Sequence, residues 1–423
     1  MDLSWLAAIL MLVIIPAYYF KKRRSAEVQG VFCLWRTKKG LNAVKRLSKH
    51  GVFTQLADLG LVFSFGAFGA LYLLLSERKR PIKVLIGYAL FAASAVILIE
   101  PSLIFEKTIT NPLWMGILLT TGFGGLALYI IIWATQSVIS DLVSGRVPVP
   151  VLQPVIPGVE IPGAPVDVPV SAWISLVIVI IAHEMSHAIV SVREKIRVKS
   201  LGLVTAGVFP IGAFAEPDEK QMKREAQRKR LRIYSSGSMM NFVMAFAFLA
   251  ILIPSQAIIQ PALLSNYYTE ILTVDAGSPA ALAGLEPGMR IYNLNVLNEE
   301  KTPRKSITLV TDKGNYSMAR NASGVIGITF STDLKLLSDN PGHWLMYYYL
   351  EIVSWTAMLN FAVGMFNFMP FLIFDGARIF EEFADFYAKK LGLKKKIGRR
   401  LLTAMSVIIG IMFAINLGIF LLQ

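Results

Sequence analysis

The stretch "IIAHEMSHAIV" at residues 180–190 sets two histidines and a glutamate inside an apolar run that could otherwise lie wholly in lipid. On a helix, residues four apart project from one face, so His183 and His187 can offer ring nitrogens to one metal ion at about 2.0–2.1 Å, with Glu184 on the adjoining face. A charged group at membrane depth costs roughly 2.5–3.5 kcal/mol, which makes a chance cluster there improbable. In the H-E-x-x-H arrangement the histidines bind zinc and the glutamate handles the proton of a water. Two neutral ligands leave such a site incomplete, so a third ligand must come from elsewhere in the chain.

The rest of the chain suits this reading. It has 423 residues, 55% hydrophobic and 17% charged. Apolar runs near 3–20, 57–76, 84–105, 113–139, 171–192, 233–254, 344–371 and 401–422 approach the ~20 residues a crossing helix needs. The expected fold is therefore a mainly α-helical, multi-pass protein of the cell membrane with about eight spans. The run at 3–20 lacks a basic n-region and a cleavage site, and KKRR follows it directly, so it reads as a retained span. The net charge of +14 does not indicate nucleic acid, because 29 of the 42 Lys and Arg fall in three segments, 21–55, 191–232 and 376–400, each beside a hydrophobic span. The lone cysteine, Cys33, cannot form an internal disulfide. With the basic segments inside, parity places residues 255–343 outside. It also places the basic SERKRPIK loop, 76–83, outside, against the charge rule.

Asp375 is the strong candidate for the third ligand. In "NFMPFLIFDGARI", residues 367–379, Pro370 must break or kink the seventh span, and Asp375 follows in what should be an unwound, glycine-bounded turn. Its depth matches that of His183. Asp58, Glu100, Glu106, Asp141 and Glu351 lie nearer span ends or the outer surface and suit solvated roles. Residues 147–170 carry seven prolines and read as an extended external connector. Residues 200–218, "SLGLVTAGVFPIGAFAEPD", are apolar but too broken by glycine and proline for a span, and read as a membrane-associated hairpin.

Residues 267–332 change character, with short alternating runs, mixed charges and turn residues, as expected of a small β-rich domain. "SPAALAGLEPGMRIYNLNV" (278–296) reads as a short helix, a Pro-Gly turn and a strand. This pattern resembles a PDZ domain, with Met289 where an Asp is usual. "SGVIGITF" (323–330) resembles the peptide-binding loop and strand of the permuted PDZ arrangement, which implies peptide contacts at Gly324, Ile326, Gly327 and Ile328 and a C-terminal peptide as ligand.

HEMSH on one span, with Asn367-Phe-Met-Pro370 and Asp375-Gly376 on a later one, is similar to the H-E-x-x-H and N-x-x-P-x-x-x-x-D-G signatures of the site-2 protease family of intramembrane zinc metalloproteases. The resemblance covers residues 171–423. It implies zinc held by His183, His187 and Asp375, Glu184 as general base and then acid, and Asn367 on substrate backbone or the oxyanion. "SSGSMMNFV" (235–243) adds Gly237 and Asn241, spaced like the family's G-x-x-x-N, with Ser238 where proline is common. Asn241 is then a supporting substrate or packing residue.

The expected organisation is accessory transmembrane helices at 1–145, the connector at 146–170, a first core half at 171–266, the PDZ-like domain at 267–332 outside, and a second core half at 333–423. The expected activity is zinc-dependent hydrolysis of peptide bonds in or near the transmembrane segments of membrane-protein substrates, close to the cytoplasmic face. An extended substrate would add to the hairpin near Gly207 and Phe209. Two alternatives stand beside it. A membrane-anchored zincin acting on soluble peptides would place its histidines beyond the apolar run, and a non-catalytic PDZ-bearing adaptor would show an eroded motif.

Overall fold

The computed structural model describes residues 26–29, 32–76, 81–99, 112–148, 157–159, 168–206, 209–264, 267–293, 296, 302–330, 335–336, 340–393 and 397–422. The expected span at 3–20, most of the proline-rich connector and Gly207 lie outside them. The chain divides into two units, residues 1–248 with 355–423, and residues 249–354.

In the first unit, strands β1 (Ala26–Gln29) and β2 (Phe32–Thr37) and a short helix α1 (Leu41–Leu47) precede three apolar helices, α2 (Val52–Ser76), α3 (Pro81–Ile99) and α4 (Pro112–Val143). Helix α5 (Ala172–Arg193) carries HEMSH, and the strands β3 (Val198–Ala206) and β4 (Phe209–Pro217) and the short helix α6 (Glu219–Arg224) follow it. The N-cap of α6 is Asp218, whose carboxylate accepts the Gln221 N–H at 3.1 Å, a bond that holds its pKa below the ordinary value. Helix α7 (Gln227–Leu264) runs on into the second unit. Among the described residues, six helices are long and apolar enough to cross a membrane: α2, α4, α5, α7 and two later ones, Pro341–Asn367 and Ile397–Leu421. The chain is a multi-pass membrane protein.

Two of those helices reverse direction. In α2 the backbone leaves the helical region at Phe65 (φ −134°, ψ 27°) and Gly66 (φ 54°, ψ −125°). A side chain added at Gly69 would run into the backbone of Leu61. Eight residues of straight helix would hold those two positions about 12 Å apart. Leu73 likewise lines one cavity with Asp58. The expected single span at 57–76 is therefore corrected to two antiparallel arms. They are roughly 20 Å and 15 Å long, both short of the ~30 Å hydrocarbon thickness. Ser76 thus returns toward the end where Val52 began, and Lys83 lines the same cavity as Arg193 and Arg228. This removes the parity conflict posed by the basic 76–83 loop.

Helix α4 breaks at Gly122 (φ 68°, ψ −167°), and the Trp114 and Tyr129 rings, fifteen residues apart, meet with centroids 3.6 Å apart. The arm after the break is long enough to cross alone. The two reversals touch. A side chain at Gly66 would strike the Leu119 carbonyl, and one at Gly122 would strike the Ser64 and Phe65 backbone. Only glycine satisfies both the positive φ and this approach. Around the junction Phe63 packs on Phe91, Phe123 and Phe242 with centroids 5.5, 5.8 and 5.2 Å away.

The hairpin expected at 200–216 is present as β3 and β4, and it belongs to a four-stranded antiparallel sheet in the order β1-β2-β3-β4. Strands β1 and β2 were not anticipated from the sequence. Strand β2 buries Cys33 and Trp35, and Trp35 Nε1 donates to Thr205 Oγ1 at 3.1 Å. This leaves β4 as an edge strand.

The second unit is a small β-rich body. It comprises β5 (Tyr267–Val274), a helical turn α8 (Pro279–Leu282), β6 (Arg290–Ile291), β7 (Ser306–Thr311), β8 (Gly314–Ala319), β9 (Ile328–Phe330) and β10 (Lys335–Leu336). The predicted helix, turn and strand at 278–291 all form. Ser278 caps α8 by accepting the Ala281 N–H, and Gly288 turns at φ 86°. Met289 is buried with Ile271, Leu285, Ile291, Ile307 and Leu309, which gives that departure from the PDZ pattern a packing role.

The chain ends with α9 (Pro341–Asn367), α10 (Asp375–Lys390) and α11 (Ile397–Leu422). Helix α9 stops at Asn367, short of the expected 371, because Pro370 disfavours helix in the residues before it. Asp375 stands at the start of the next helix, where an expectation of a longer turn had put it in unwound chain.

Candidate metal centre

Helix α5 has an apolar surface because Ile, Val and Ala dominate it, and its lipid-compatible length delivers His183 and His187 to one face. His183 is buried at 8% exposure, and the ring centroids of the two histidines lie 4.8 Å apart. Asp375 meets them from the first turn of α10. Its side chain joins the helix at the end where backbone N–H groups favour an anion. Gly376 permits this placement, since any side chain there would press on the Phe368 and Met369 carbonyls.

Three ligand atoms converge. Asp375 Oδ2 lies 3.1 Å from His183 Nε2 and 3.0 Å from His187 Nε2, and the two nitrogens are 3.1 Å apart. A tetrahedral zinc with bonds of 2.0–2.1 Å requires ligand atoms about 3.3 Å apart, so this triangle fits such an ion with a few tenths of an ångström of relaxation. Glycine at 237 preserves the space. A Cβ there would fall onto His187 Nε2 and close to His183 Nε2.

The distal ring nitrogens have partners that fix the tautomers. His187 Nδ1 lies 2.7 Å from the Ile233 carbonyl, to which it donates, leaving the Nε2 lone pair free for a metal. The Asn241 side chain is fully buried 3.1 Å from His183 Nδ1, and its Oδ1 has no partner among the described residues. With that oxygen turned to the ring, it accepts the Nδ1–H and orients His183 in the same way. The residues present therefore fit a zinc ion, with an N, N, O donor set and both imidazoles anchored from behind.

Glu184 does not join the triangle. Its Oε2 accepts the Ala215 N–H of β4 at 2.8 Å. That bond shows which way the strand faces. Ala215 donates away from β3, and because backbone groups alternate along a strand, the N–H and C=O of Ala213 face the same open edge. Phe209 lies in β4, paired with Ala206. Asn367 is the last residue of α9, half-buried, and its side chain makes no hydrogen bond among the described residues.

Two of the rival acids have other partners. Asp58 pairs with Arg228 at 2.7 Å and Arg232 at 2.8 Å, and Asp141 pairs with Arg146 at 2.9 Å. In the second unit, Gly324 (φ 75°) and Gly327 (φ 77°) bound a loop leading into β9, Ile326 is buried, and Ile328 pairs with Val274. A cavity of about 260 Å³ adjoins Ile326, Gly327 and Ile328, with Arg320 and Asp275 on its wall. Sequence reasoning found the three converging side chains but missed the space-keeping role of Gly237, the Ile233 carbonyl and the Ala215 donor. The G-x-x-x-N spacing was the available signal for the first; the other two are backbone groups that no side-chain pattern records.

Residues 171–413, more than half of the chain, match Peptidase family M50. The uncharacterized protein MJ0971 of Methanocaldococcus jannaschii is 25% identical over 256 residues, which cover 58% of this chain and 64% of that protein. The chain thus spans somewhat less than two thirds of the length of this curated relative.

Proposed function

Because this chain belongs to peptidase family M50, a metallopeptidase family, we propose that it is an intramembrane zinc endopeptidase of the site-2 protease type, hydrolysing peptide bonds in or near the transmembrane segments of membrane-protein substrates. The observation that carries the proposal is the meeting of His183 and His187, on an apolar helix, with Asp375, their ligand atoms within 4.8 Å of one another, next to an open strand edge. Zinc held there supplies Lewis acidity to the scissile carbonyl and to the attacking water. Glu184 takes the proton of that water and passes it to the leaving amine nitrogen. Its hydrogen bond to Ala215 directs the carboxylate along the strand.

A helical substrate hides its peptide bonds and must unwind. An extended segment paired with Ala213 on the β4 edge would pass directly beside Glu184. Asn367, whose side chain makes no hydrogen bond among the described residues, would hold the substrate backbone or the developing oxyanion. Asn241 acts through His183 and positions it. The basic segments flanking the spans support an active site open toward the cytoplasm and a β-rich unit on the other side. There the loop at Gly324–Ile328 would take a C-terminal peptide, such as one exposed by an earlier cut.

Reconstituted full-length protein should cleave a reporter with a single transmembrane helix. Glu184→Gln should abolish cleavage while keeping its zinc. Cleavage by Glu184→Gln at the wild-type rate would remove the proposed proton carrier and with it this mechanism.

A further inference from the structure

A second cavity, of about 770 Å³, lies between the mouth of the α2 reversal, helix α3 and the adjoining ends of α5 and α7. One part of its wall is cationic, formed by Lys83, Arg193, Arg228 and Arg232, with Asp58 the one carboxylate on the lining. Asp58 is shared between Arg228 and Arg232, and Glu194 also pairs with Arg232, at 3.0 Å. Among the described residues, Lys83 and Arg193 thus add positive charge that no carboxylate pairs. Arg193 is fixed by neutral groups, donating to Thr54 Oγ1 at 2.5 Å and to the Ser48 and Lys49 carbonyls at 2.9 and 3.1 Å. These bonds orient its charge without neutralising it.

The opposite part of the wall is apolar, with Leu59, Val62, Leu73 and Leu90. Leu90 and its helix neighbours Leu85 and Ile86 are more than half exposed on α3, as suits contact with acyl chains. A surplus of positive charge joined to an apolar groove, where basic helix ends gather, matches a lipid headgroup and its tail. A free anion would use only the first half. Basic pockets between transmembrane helices bind anionic headgroups.

We infer that this cavity binds an anionic phospholipid, its phosphate between Arg193 and Lys83 and an acyl chain along Leu59, Val62 and Leu90. The site is separate from the candidate metal centre and does not depend on the protease reading. Occupied, it would tie the α2 reversal to the start of α7, the helix that presents Gly237 and Asn241 to the histidines.

The test uses delipidated full-length protein in mild detergent. It would be titrated with dioctanoyl phosphatidylglycerol, dioctanoyl phosphatidylcholine or inorganic phosphate, and bound adducts counted by native mass spectrometry. The expected result is one phosphatidylglycerol per chain, retained at least about tenfold more tightly than either other probe. Arg193→Gln and Lys83→Glu should each weaken phosphatidylglycerol retention about fivefold, with phosphatidylcholine unchanged. Lys83 is exposed and makes no hydrogen bond among the described residues, so its variant serves even if Arg193→Gln fails to fold. Equal retention of the two lipids, phosphate binding as tight as phosphatidylglycerol, or no response to either substitution would overturn the assignment.

Discussion

Helix α5 and the reversed helices α2 and α4 bring polar groups to membrane depth by opposite routes. Helix α5 stays an unbroken helix over 22 residues, and its histidines take side-chain and carbonyl partners from α7 and α10. Helices α2 and α4 instead break at Gly66 and Gly122 and cover the exposed backbone with each other's reversal. An intact helix can therefore present chemistry, while a broken one in lipid must be sealed by protein. The first depends on side-chain identity and the second on the absence of side chains, so substitutions should separate them.

The largest expected effect is at Gly237, where the two logics meet in one residue. Gly237→Ala puts a methyl group where the two Nε2 atoms converge. The folded variant should lose its zinc and all cleavage, read by elemental analysis and the reporter assay. Asn241→Leu removes the anchor behind His183 and should weaken zinc roughly 10- to 100-fold by competition with a chelator, with the fold retained. On the β4 edge, Ala213→Pro deletes an outward N–H without touching the ladder to β3. It should lower cleavage about tenfold with zinc unchanged, the worth of one hydrogen bond in a dry site, whereas Ala213→Gly should be mild. The smallest effect is expected in the sealed region. Gly122→Ala should destabilise the protein by about 1–3 kcal/mol, seen as a lower melting temperature, with zinc still bound in the folded fraction. If Gly122→Ala stripped zinc as Gly237→Ala does, the separation between presenting and sealing helices would fail.

The same division governs what could be read from the chain. His183, Glu184, His187 and Asp375 were legible because spacing on an apolar helix and an acid after a helix-breaking Pro370 are side-chain signals. The reversals were not, because an apolar window measures length and takes no account of direction. Their traces were Ser64-Phe-Gly66 with Gly69, the run Gly122-Phe-Gly-Gly125, and the basic 76–83 loop that broke the charge rule. Strand β2 went unread because its six residues sit inside a segment dominated by charge, although Cys33 and Trp35 alternate with Leu34 and Arg36. The edge direction of β4 depends on the bond between Ala215 and Glu184, which only the folded chain makes.

The central claim is that His183, His187 and Asp375 form one metal site, and metal content tests it most directly. Purified full-length protein should hold about one zinc per chain. His187→Ala and Asp375→Asn should each lose most of it while keeping wild-type helical content by circular dichroism. A folded His187→Ala protein with a full complement of zinc would contradict the assignment.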